Sequence, residues 1–318
     1  MSEFSRRILQ MRKVEAVVVT YNRKEMLAQC LDAILVQSVE VDKIIVIDNC
    51  STDGTPEFLE EKEYLHNNKV LFKRLNSNTG GAGGFYEGMK IARAMNPDWV
   101  WIMDDDVIPD KNCLEELLKA DEVTKEEVSF YASAIRNVEG IAMNVPKIFR
   151  NQFTKYTDWY QYLEYGMVQV VKATFVSLLI NGKAIQKCGL PWAPFFIWGD
   201  DSEYTQRIIR DFGPAYMVGT SKAVHLRGSA EELSIVKETN LNRIPLYFYL
   251  YRNNLIGFWE YENVLYKFLC MGKLGYDFLV VLFKAKYKGK KMKVILKAFY
   301  NFIFGKYDRK SFRERAKI

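Results

Sequence analysis

The feature that most constrains the fold is an apolar run that ends in three consecutive carboxylates. Residues 99–103 read Trp-Val-Trp-Ile-Met, and Asp104, Asp105 and Asp106 follow directly. Val, Ile and Trp favour a buried strand, and the run shows no helical periodicity. Adjacent carboxylates at the end of a strand repel one another unless a cation or a positively charged ligand lies beside them. Oxygen ligands of this kind suit Mg²⁺ or Mn²⁺, so the run predicts a metal–phosphate site at the edge of a sheet.

Strands and helices alternate through the first third of the chain. Short apolar runs predict strands at 14–20, 43–48, 70–75 and 99–103. Apolar residues at helical spacing predict helices at 23–37, from 55 onward and at 85–95, with a glycine-rich loop at 76–84. This alternation favours an α/β fold with a mostly parallel sheet and helices on both of its faces.

The pattern changes beyond residue 110. Helices are predicted at 113–120 and 202–210, a strand at 170–180 and another short strand ahead of residue 225, whereas 137–175 is irregular and rich in Tyr and Trp. The chain contains no internal repeat and no low-complexity linker.

Polar clusters follow the predicted strands at the points where they end. In open parallel sheets, ligands bind beyond the carboxyl ends of the strands, so these clusters are expected to converge. Taken alone, residues 48–54 read as a tight turn with a helix cap, but the joint placement favours a ligand site. The glycine loop matches neither the dinucleotide fingerprint nor the phosphate-binding loop of nucleotide hydrolases. The clusters are 20–23, 48–49, 78–84 and 104–106.

The ordered series of motifs resembles the inverting family 2 glycosyltransferases with the GT-A fold, a Rossmann-like architecture. The motifs are Val19–Arg23, Ile47–Gly54, Asn78–Phe85 and the aspartate triplet. The glycine loop and the segment Phe195–Tyr204 look most like those of bacterial galactofuranosyltransferases, and rhamnosyltransferases share much of the pattern. The resemblance extends to about residue 230.

The resemblance implies a donor site and a metal site. Asp104 and Asp106 would hold Mn²⁺ or Mg²⁺ against the donor diphosphate, and Asp105 would face the ribose or the sugar. A lone histidine is more often a packing residue, but family members carry a metal-binding histidine at the position of His225. The implied donor-binding residues are Thr20, Tyr21, Asn22, Arg23, Asp48, Asn78, Gly80, Gly81, Asp104 and Asp105.

Asp200 and Asp201 form a second acidic pair directly before a predicted helix. Capping of that helix and a favourable interaction with its dipole would explain them, typically at ~1 kcal/mol. In the resembled family the second acid of this pair is the general base, which implies Asp201 as catalytic base and Asp200 as a contact to acceptor or sugar. Trp198 could stack on a sugar, whereas Phe195 and Phe196 are expected to pack in the core.

The last segment of the chain differs from the rest in charge. From Leu265 onward there are 15 basic and three acidic residues, a net +12, which leaves −6 on the remainder because the whole chain carries +6. No apolar run approaches the ~20 residues that span a bilayer. Lysines among aromatic residues favour contact with an anionic membrane surface, and helical packing on a subunit is the alternative. A localised basic tail argues against general nucleic-acid binding.

These observations divide the chain into a GT-A catalytic domain and a tail. The domain would span 1–264, with a nucleotide-sugar half at 14–110 and an acceptor half at 111–264, and the basic helical tail would span 265–318. Five scattered cysteines indicate a reducing compartment, and the N-terminus lacks a signal-peptide core. We therefore expect a cytoplasmic protein that is peripheral on the inner face of the cell membrane.

The predicted activity is metal-dependent, inverting transfer of galactofuranose from UDP-galactofuranose to a lipid-linked or cell-surface glycan. A rhamnosyltransferase that uses dTDP-rhamnose is the alternative within the class. A non-catalytic nucleotide- or glycan-binding scaffold and a nucleotidyltransferase are the alternatives outside it, although a basic triphosphate-binding motif is missing near the first strand. Homo-oligomer formation stays open.

Overall fold

Eleven strands form one continuous sheet in the computed structural model, which describes residues 10–124, 126–149, 158–227 and 233–305. The strands are β1 (Val14–Thr20), β2 (Lys43–Asp48), β3 (Val70–Arg74), β4 (Trp99–Asp104), β5 (Val107–Pro109), β6 (Phe130–Asn137), β7 (Ala142–Met143), β8 (Lys147–Ile148), β9 (Met167–Lys172), β10 (Leu178–Asn181) and β11 (Ala215–His225). The α-helices are α1 (Lys24–Leu35), α2 (Thr55–Glu61), α3 (Gly80–Ala94), α4 (Cys113–Val123), α5 (Gly182–Cys188), α6 (Asp200–Asp211), α7 (Tyr247–Tyr261), α8 (Val264–Lys284) and α9 (Lys288–Phe304).

The first four long strands are parallel and lie in the order β3-β2-β1-β4. Every residue of β1 is buried, because helices cover both faces of the sheet. In the register, Thr20 lies opposite Asp48, and Val19 lies opposite Asp104. The carboxyl ends of β1, β2 and β4 are therefore level, which brings the polar clusters that follow them together as predicted.

The second half of the sheet is mixed. Strand β10 lies antiparallel between β4 and β6, β11 runs parallel to β6, and β9 and β8 continue antiparallel beyond it. The single strand predicted at 170–180 is wrong, because 170–172 closes β9, which pairs with β11, and 178–180 belongs to β10, which pairs with β4. The far end of β11 also pairs with β5, with His225 opposite Val107. This pairing carries His225 to the aspartate triplet.

The glycine-rich segment is largely helical. Helix α3 begins at Gly80, so the loop predicted through residue 84 and the helix start at residue 85 are wrong. A Cβ atom on Gly84 would lie 2.4 Å from a methyl group of Val19, and one on Gly88 would lie 2.4 Å from a methyl group of Val17. The glycines therefore let the helix pack directly onto β1, and this close packing outweighs the weak helix propensity of glycine.

Helices α7, α8 and α9 pack on one another. They share a small apolar core that contains Tyr247, Val281 and Ile295, and Lys291 is buried beside it. Packing is thus continuous across residue 264, where the sequence suggested the start of a tail. Residues 306–318 of the predicted tail lie outside the described residues.

Within the described ranges, no helix combines the length and the apolar character needed to cross a bilayer.

Substitution of Gly88 tests the close approach of α3 to β1. We expect Gly88→Ala to lower the free energy of unfolding by about 1–3 kcal/mol, because the new Cβ overpacks against Val17 and Ile47. Gly275→Ala in α8 is the matched control, since its Cβ meets nothing within 4 Å; it should gain about 0.5–1 kcal/mol from helix propensity. Urea denaturation measures both, and equal effects of the two variants would contradict the packing argument.

Candidate active site

The ends of β1 and β4 are joined through Asp105. The Thr20 hydroxyl donates a 2.7 Å hydrogen bond to Asp105 Oδ2, and Arg23 Nη1 donates to Asp105 Oδ1 at 3.1 Å. Burial raises the pKa of Asp105, although Arg23 and Thr20 oppose the rise. Both oxygens of this buried carboxylate thus have protein partners. In this arrangement Asp105 holds the two strand ends together instead of facing outward.

Asp106 is the most heavily paired member of the triplet. Its Oδ2 accepts from Arg23 Nη1 at 2.7 Å and from Arg227 Nε at 3.1 Å. Burial would raise the pKa of Asp106, but the adjacent His225, Arg23 and Arg227 together lower it to about 2. Asp106 is therefore held as a carboxylate.

Two buried atoms face each other and have no other partner. Asp106 Oδ1 and His225 Nε2 are 3.0 Å apart, close enough for an ion pair with a protonated ring, and neither atom forms a hydrogen bond with any other group. The other ring nitrogen of His225 lies 3.0 Å from Asn144 Oδ1, which fixes the orientation of the ring. A buried carboxylate oxygen and a buried imidazole nitrogen that point at one another are a suitable pair of ligands for a divalent cation.

Asp104 faces a cavity beside this pair. Burial, together with the charges on Asp106 and Asp105, raises its pKa to about 8. The repulsion expected of three adjacent carboxylates thus adds to the effect of burial, and a cation beside them would relieve it.

A complete protein cage for a metal is absent from the part of the chain that the structure describes. It contains no group of three or more His, Cys, Asp or Glu side chains arranged to hold an ion. The donor set still fits Mg²⁺ or Mn²⁺, because such ions are often held by one or two protein carboxylates plus substrate phosphates and water. The residues that fit are Asp106 and His225, with Asp104 next to them.

The loops that follow β1 and β2 are cross-linked. Asn22 donates its backbone N–H to Ser51 Oγ at 2.9 Å, and its side-chain oxygen accepts from the backbone of Thr52 at 2.7 Å. Asp48 is buried; its Oδ1 accepts from Ser51 N, while its Oδ2 makes no hydrogen bond. The turn predicted for residues 48–54 is therefore present, and Asp48 Oδ2 lies 3.4 Å from Arg74 Nε in an ion pair. Tyr21 is 43% exposed beside these loops.

Asn49 fixes the start of α3. Its Nδ2 donates to Gly80 O at 2.8 Å, and its Oδ1 accepts from Thr79 N at 2.8 Å. Asn78 closes the preceding turn by accepting from Gly80 N. Gly80 has φ +72, and a Cβ there would lie 2.0 Å from Phe196 O, so only glycine fits. Gly81 lines the cavity that Asp104 faces.

That cavity unites the two acidic clusters of the sequence. It has a volume of about 690 Å³. Predicted site residues on its wall are Gly81, Asp104, Trp198, Asp200, Asp201 and His225, and the further residues Asn144, Arg227 and Arg243 also line it.

Asp200 and Asp201 occupy the first turn of α6, but neither caps it. The N-cap residue is Gly199, with φ +97 and no side-chain cap, so capping does not explain the pair, although both acids lie in the first turn, where the helix dipole favours a carboxylate. Burial raises the pKa of both carboxyls, and the charge on Asp201 adds to the rise at Asp200. Asp201 Oδ1 accepts from Ser202 N at 2.6 Å, which orients the carboxylate.

The aromatic residues before the pair have separate roles. Phe195 is fully buried, as expected, whereas Phe196 is half-buried and stacks on Tyr249 with ring centroids 4.7 Å apart. Trp198 packs against Tyr247 and also lines the cavity.

Several site residues escaped the sequence analysis. Arg227 carried a usable signal, because a base two positions after a candidate metal-binding histidine can reach the same anion. Asn144 and Arg243 carried none, since only the fold brings them to the cavity. Asn49 lies in the predicted polar cluster at 48–49, but its hydrogen bonds to Thr79 and Gly80 could not be predicted from the sequence.

Comparison with known proteins shows the family of this chain. A sequence model of glycosyl transferase family 2 matches residues 15–180. The galactofuranosyltransferase GlfT1 of Mycolicibacterium smegmatis is 30% identical over 222 residues, which cover 68% of this chain and 72% of that protein. The resemblance inferred from the motifs is confirmed.

Solved structures show the same fold. S. aureus TarS 1–349 in complex with UDP is 14% identical, with a TM-score of 0.51 over 95% of this chain and 75% of that one. GalNAc-T7 with UDP, GalNAc and Mn²⁺ is 13% identical, with a TM-score of 0.61 over 96% of this chain and 59% of that one. The predicted GT-A architecture is thereby confirmed.

Proposed function

Since the chain belongs to glycosyltransferase family 2 and is a glycosyltransferase, we propose that it performs metal-dependent, inverting transfer of galactofuranose from UDP-galactofuranose to a lipid-linked or cell-surface glycan. The similarity to GlfT1, a galactofuranosyltransferase by name, supports the choice of sugar. The two solved structures that contain UDP support the choice of nucleotide.

One observation carries the proposal. Asp104 and His225 line the same cavity as Asp200 and Asp201, although the two pairs come from opposite halves of the chain. Inverting transfer in a single displacement needs a group that stabilises the leaving diphosphate and a separate base for the acceptor hydroxyl. A shared cavity that holds both acidic clusters meets this requirement.

Asp201 is the proposed general base. Its carboxylate is oriented by Ser202 N and opens to the cavity. It takes the proton from the acceptor hydroxyl as that oxygen attacks the anomeric carbon. Because burial raises its pKa, Asp201 is a stronger base than an exposed aspartate. The rate should fall as the pH drops through that pKa, because the protonated carboxyl can no longer accept the proton. Asp200 is the proposed contact to acceptor or sugar, and Trp198 the proposed stacking surface.

The leaving diphosphate is proposed to lie against the triplet. Asp106 and His225, with Asp104, would hold Mn²⁺ or Mg²⁺, which when bound offsets the negative charge that grows on the departing nucleotide. Arg227 and Arg243 line the same cavity and are about half exposed at their side chains. Their guanidinium groups suit phosphate oxygens, so we add them to the proposed donor site.

The nucleoside is proposed to bind beyond the ends of β1 and β2. The exposed ring of Tyr21 supports a contact to the base, and Asp48 Oδ2, which makes no hydrogen bond and pairs with Arg74 at 3.4 Å, could accept from the base. The proposed donor-binding residues remain Thr20, Tyr21, Asn22, Arg23, Asp48, Asn78, Gly80, Gly81, Asp104 and Asp105. Thr20 and Asp105 would contribute by holding the ends of β1 and β4 in place through the hydrogen bond between them.

The C-terminal helices are proposed to rest on an anionic membrane surface. Aromatic and aliphatic side chains of α8 and α9 are exposed, among them Phe268 at 71% and Phe283 at 70%. Lysines lie between them, and the segment from Leu265 carries the net positive charge. Apolar side chains next to lysines complement the interface of an anionic bilayer. A peripheral position on the inner face would place the cavity near a lipid-linked acceptor.

A transfer assay tests the activity. We expect the protein with Mn²⁺ to release UDP from UDP-galactofuranose in the presence of lipid-linked glycan acceptors and to be much less active with dTDP-rhamnose. Chromatography and mass spectrometry identify the nucleotide and the product. Turnover with dTDP-rhamnose alone would support a rhamnosyltransferase. Release of pyrophosphate would support a nucleotidyltransferase, and nucleotide binding without turnover would support a non-catalytic scaffold.

The role of Asp201 is tested in the same assay. Asp201→Asn should lower kcat by about 10²- to 10⁴-fold, whereas Asp211→Asn at the other end of α6 should leave kcat unchanged.

The metal site is tested without measuring turnover. We expect His225→Ala to weaken Mn²⁺ binding in the presence of UDP by at least the roughly 10- to 100-fold that loss of an outer-shell partner costs. Isothermal titration calorimetry measures the dissociation constant. His66→Ala is the matched control, because His66 is exposed and pairs with Glu60. Unchanged Mn²⁺ affinity in His225→Ala would remove this histidine from the proposed ligands.

Membrane contact is tested by vesicle sedimentation. We expect the protein to sediment with phosphatidylglycerol-containing vesicles but weakly with pure phosphatidylcholine vesicles, and Phe268→Ser with Phe283→Ser to reduce the bound fraction several-fold. Val36→Ser with Val138→Ser is the control, since these exposed apolar residues lie outside the helices of the tail. A stable oligomer that does not bind vesicles would instead favour packing of the C-terminal helices on another subunit.

A further inference from the structure

Asn253 is a buried polar residue in helix α7, 2% exposed, that no motif singled out. Its Nδ2 lies 2.9 Å from the carbonyl oxygen of Phe195, 3.1 Å from that of Ile197 and 2.8 Å from that of Trp198. The two N–H groups of this amide are thus shared among three carbonyls of a single short segment, Phe195–Gly199. We call this segment the acid loop because it leads into Asp200 and Asp201.

The other side of the Asn253 amide is also fixed. Its Oδ1 accepts from Arg252 Nε at 3.0 Å, and Arg252 Nη2 donates to Pro194 O at 2.6 Å. Within the acid loop, the carbonyl of Phe196 accepts a hydrogen bond from Ala82 N at 3.1 Å. The carbonyls of residues 194–198 are therefore all satisfied by groups from α7 and α3.

The acid loop needs such support because its backbone conformation is unusual. Phe196 has φ +64, Trp198 has φ +61 and Gly199 has φ +97. Residues other than glycine rarely adopt positive φ angles, and such a backbone conformation persists only where the surrounding structure enforces it. A Cβ on Gly199 would lie 3.2 Å from Asn253 Cβ, so the loop and the helix are in close contact.

The end of the acid loop determines where the proposed base lies. Gly199 O accepts from Glu203 N and so begins α6, whose first residues are Asp200 and Asp201. A second contact from α7 fixes the same helix, since Tyr261 donates to Glu203 Oε1 at 2.7 Å. Helix α7 therefore holds both the loop before the acids and the turn that contains them.

We propose that Asn253 is a positioning residue for catalysis, which holds the acid loop in the one conformation that presents Asp201 to the acceptor hydroxyl. The inference rests on the proposed role of Asp201 as base. It also makes α7 part of the catalytic apparatus and not only the beginning of a peripheral helical unit.

The test replaces the donor amide with a carboxyl of the same shape. Asn253→Asp puts oxygen where the three carbonyls need N–H groups, so the loop should relax. We expect kcat to fall about 10²-fold, as displacement of a reacting group by about 1 Å does, while KM for the donor and the dissociation constant of UDP with Mn²⁺ stay within about threefold.

A pH profile separates positioning from packing. Loosening of the loop exposes Asp201 to water and so lowers its raised pKa, but the new carboxylate of Asn253→Asp opposes that fall. The neutral variant Asn253→Ala therefore carries this test, and its acid limb of kcat should move to lower pH. Asn254→Asp is the matched control, because Asn254 is the next residue of α7 and is exposed; its kcat and pH profile should match those of the unmodified enzyme.

Arg252→Met provides a second variant if Asn253→Asp does not fold. It removes the guanidinium that orients the Asn253 amide, and kcat should fall about tenfold with UDP affinity retained. Unchanged kcat in a folded Asn253→Asp, unchanged kcat in Arg252→Met, or parallel loss of kcat and UDP binding in either variant would overturn the proposal. Full activity in Asp201→Asn would instead refute the base assignment on which it rests.

Discussion

The architecture depends on the electrostatic repulsion among Asp104, Asp105 and Asp106. Three carboxylates at one strand end are costly, and each is stabilised in a different way. Asp105 accepts hydrogen bonds from Thr20 and Arg23, Asp106 accepts from Arg23 and Arg227 and lies against His225, and Asp104 faces the cavity with a pKa raised to about 8. The protein thus supplies most of the compensating charge itself and leaves the remainder for whatever binds in the cavity.

This constraint explains the unusual length of β11. Positively charged groups reach the triplet from the far half of the sheet. Strand β11, with 11 residues, pairs with β6 from Ala215 to His225 and also with β5 over its last three residues. The irregularity between Val218 and Lys222 adjusts the register along the way. Consequently His225 and Arg227 reach Asp106 from a segment about 120 residues later in the chain.

Much of the parallel half of the sheet could be predicted from sequence. Apolar runs bounded by turn residues gave the four strands 14–20, 43–48, 70–75 and 99–103 within one or two residues. Strands β1, β2 and β4 are almost wholly buried, whereas β3 is a half-buried edge strand. The motifs also indicated the family and the fold. The start of α3 at Gly80 was missed, since glycine propensity is outweighed there by close packing on Val17 and Val19. The role of Asn253 could not be predicted, because its partners lie more than 50 residues away and no periodic pattern marks them.

The contact between Gly80 and Phe196 has a consequence for how such enzymes diversify. Here the backbone of the donor-side helix meets the backbone of the acid loop, with Ala82 N bonded to Phe196 O and no space for even a methyl group at Gly80. A change that reshapes one side must therefore be matched on the other. In a chimaera that takes only its N-terminal half from a relative, the start of α3 and the acid loop would come from different proteins and would no longer fit each other. A workable exchange therefore has to include residues 78–84 together with 193–199.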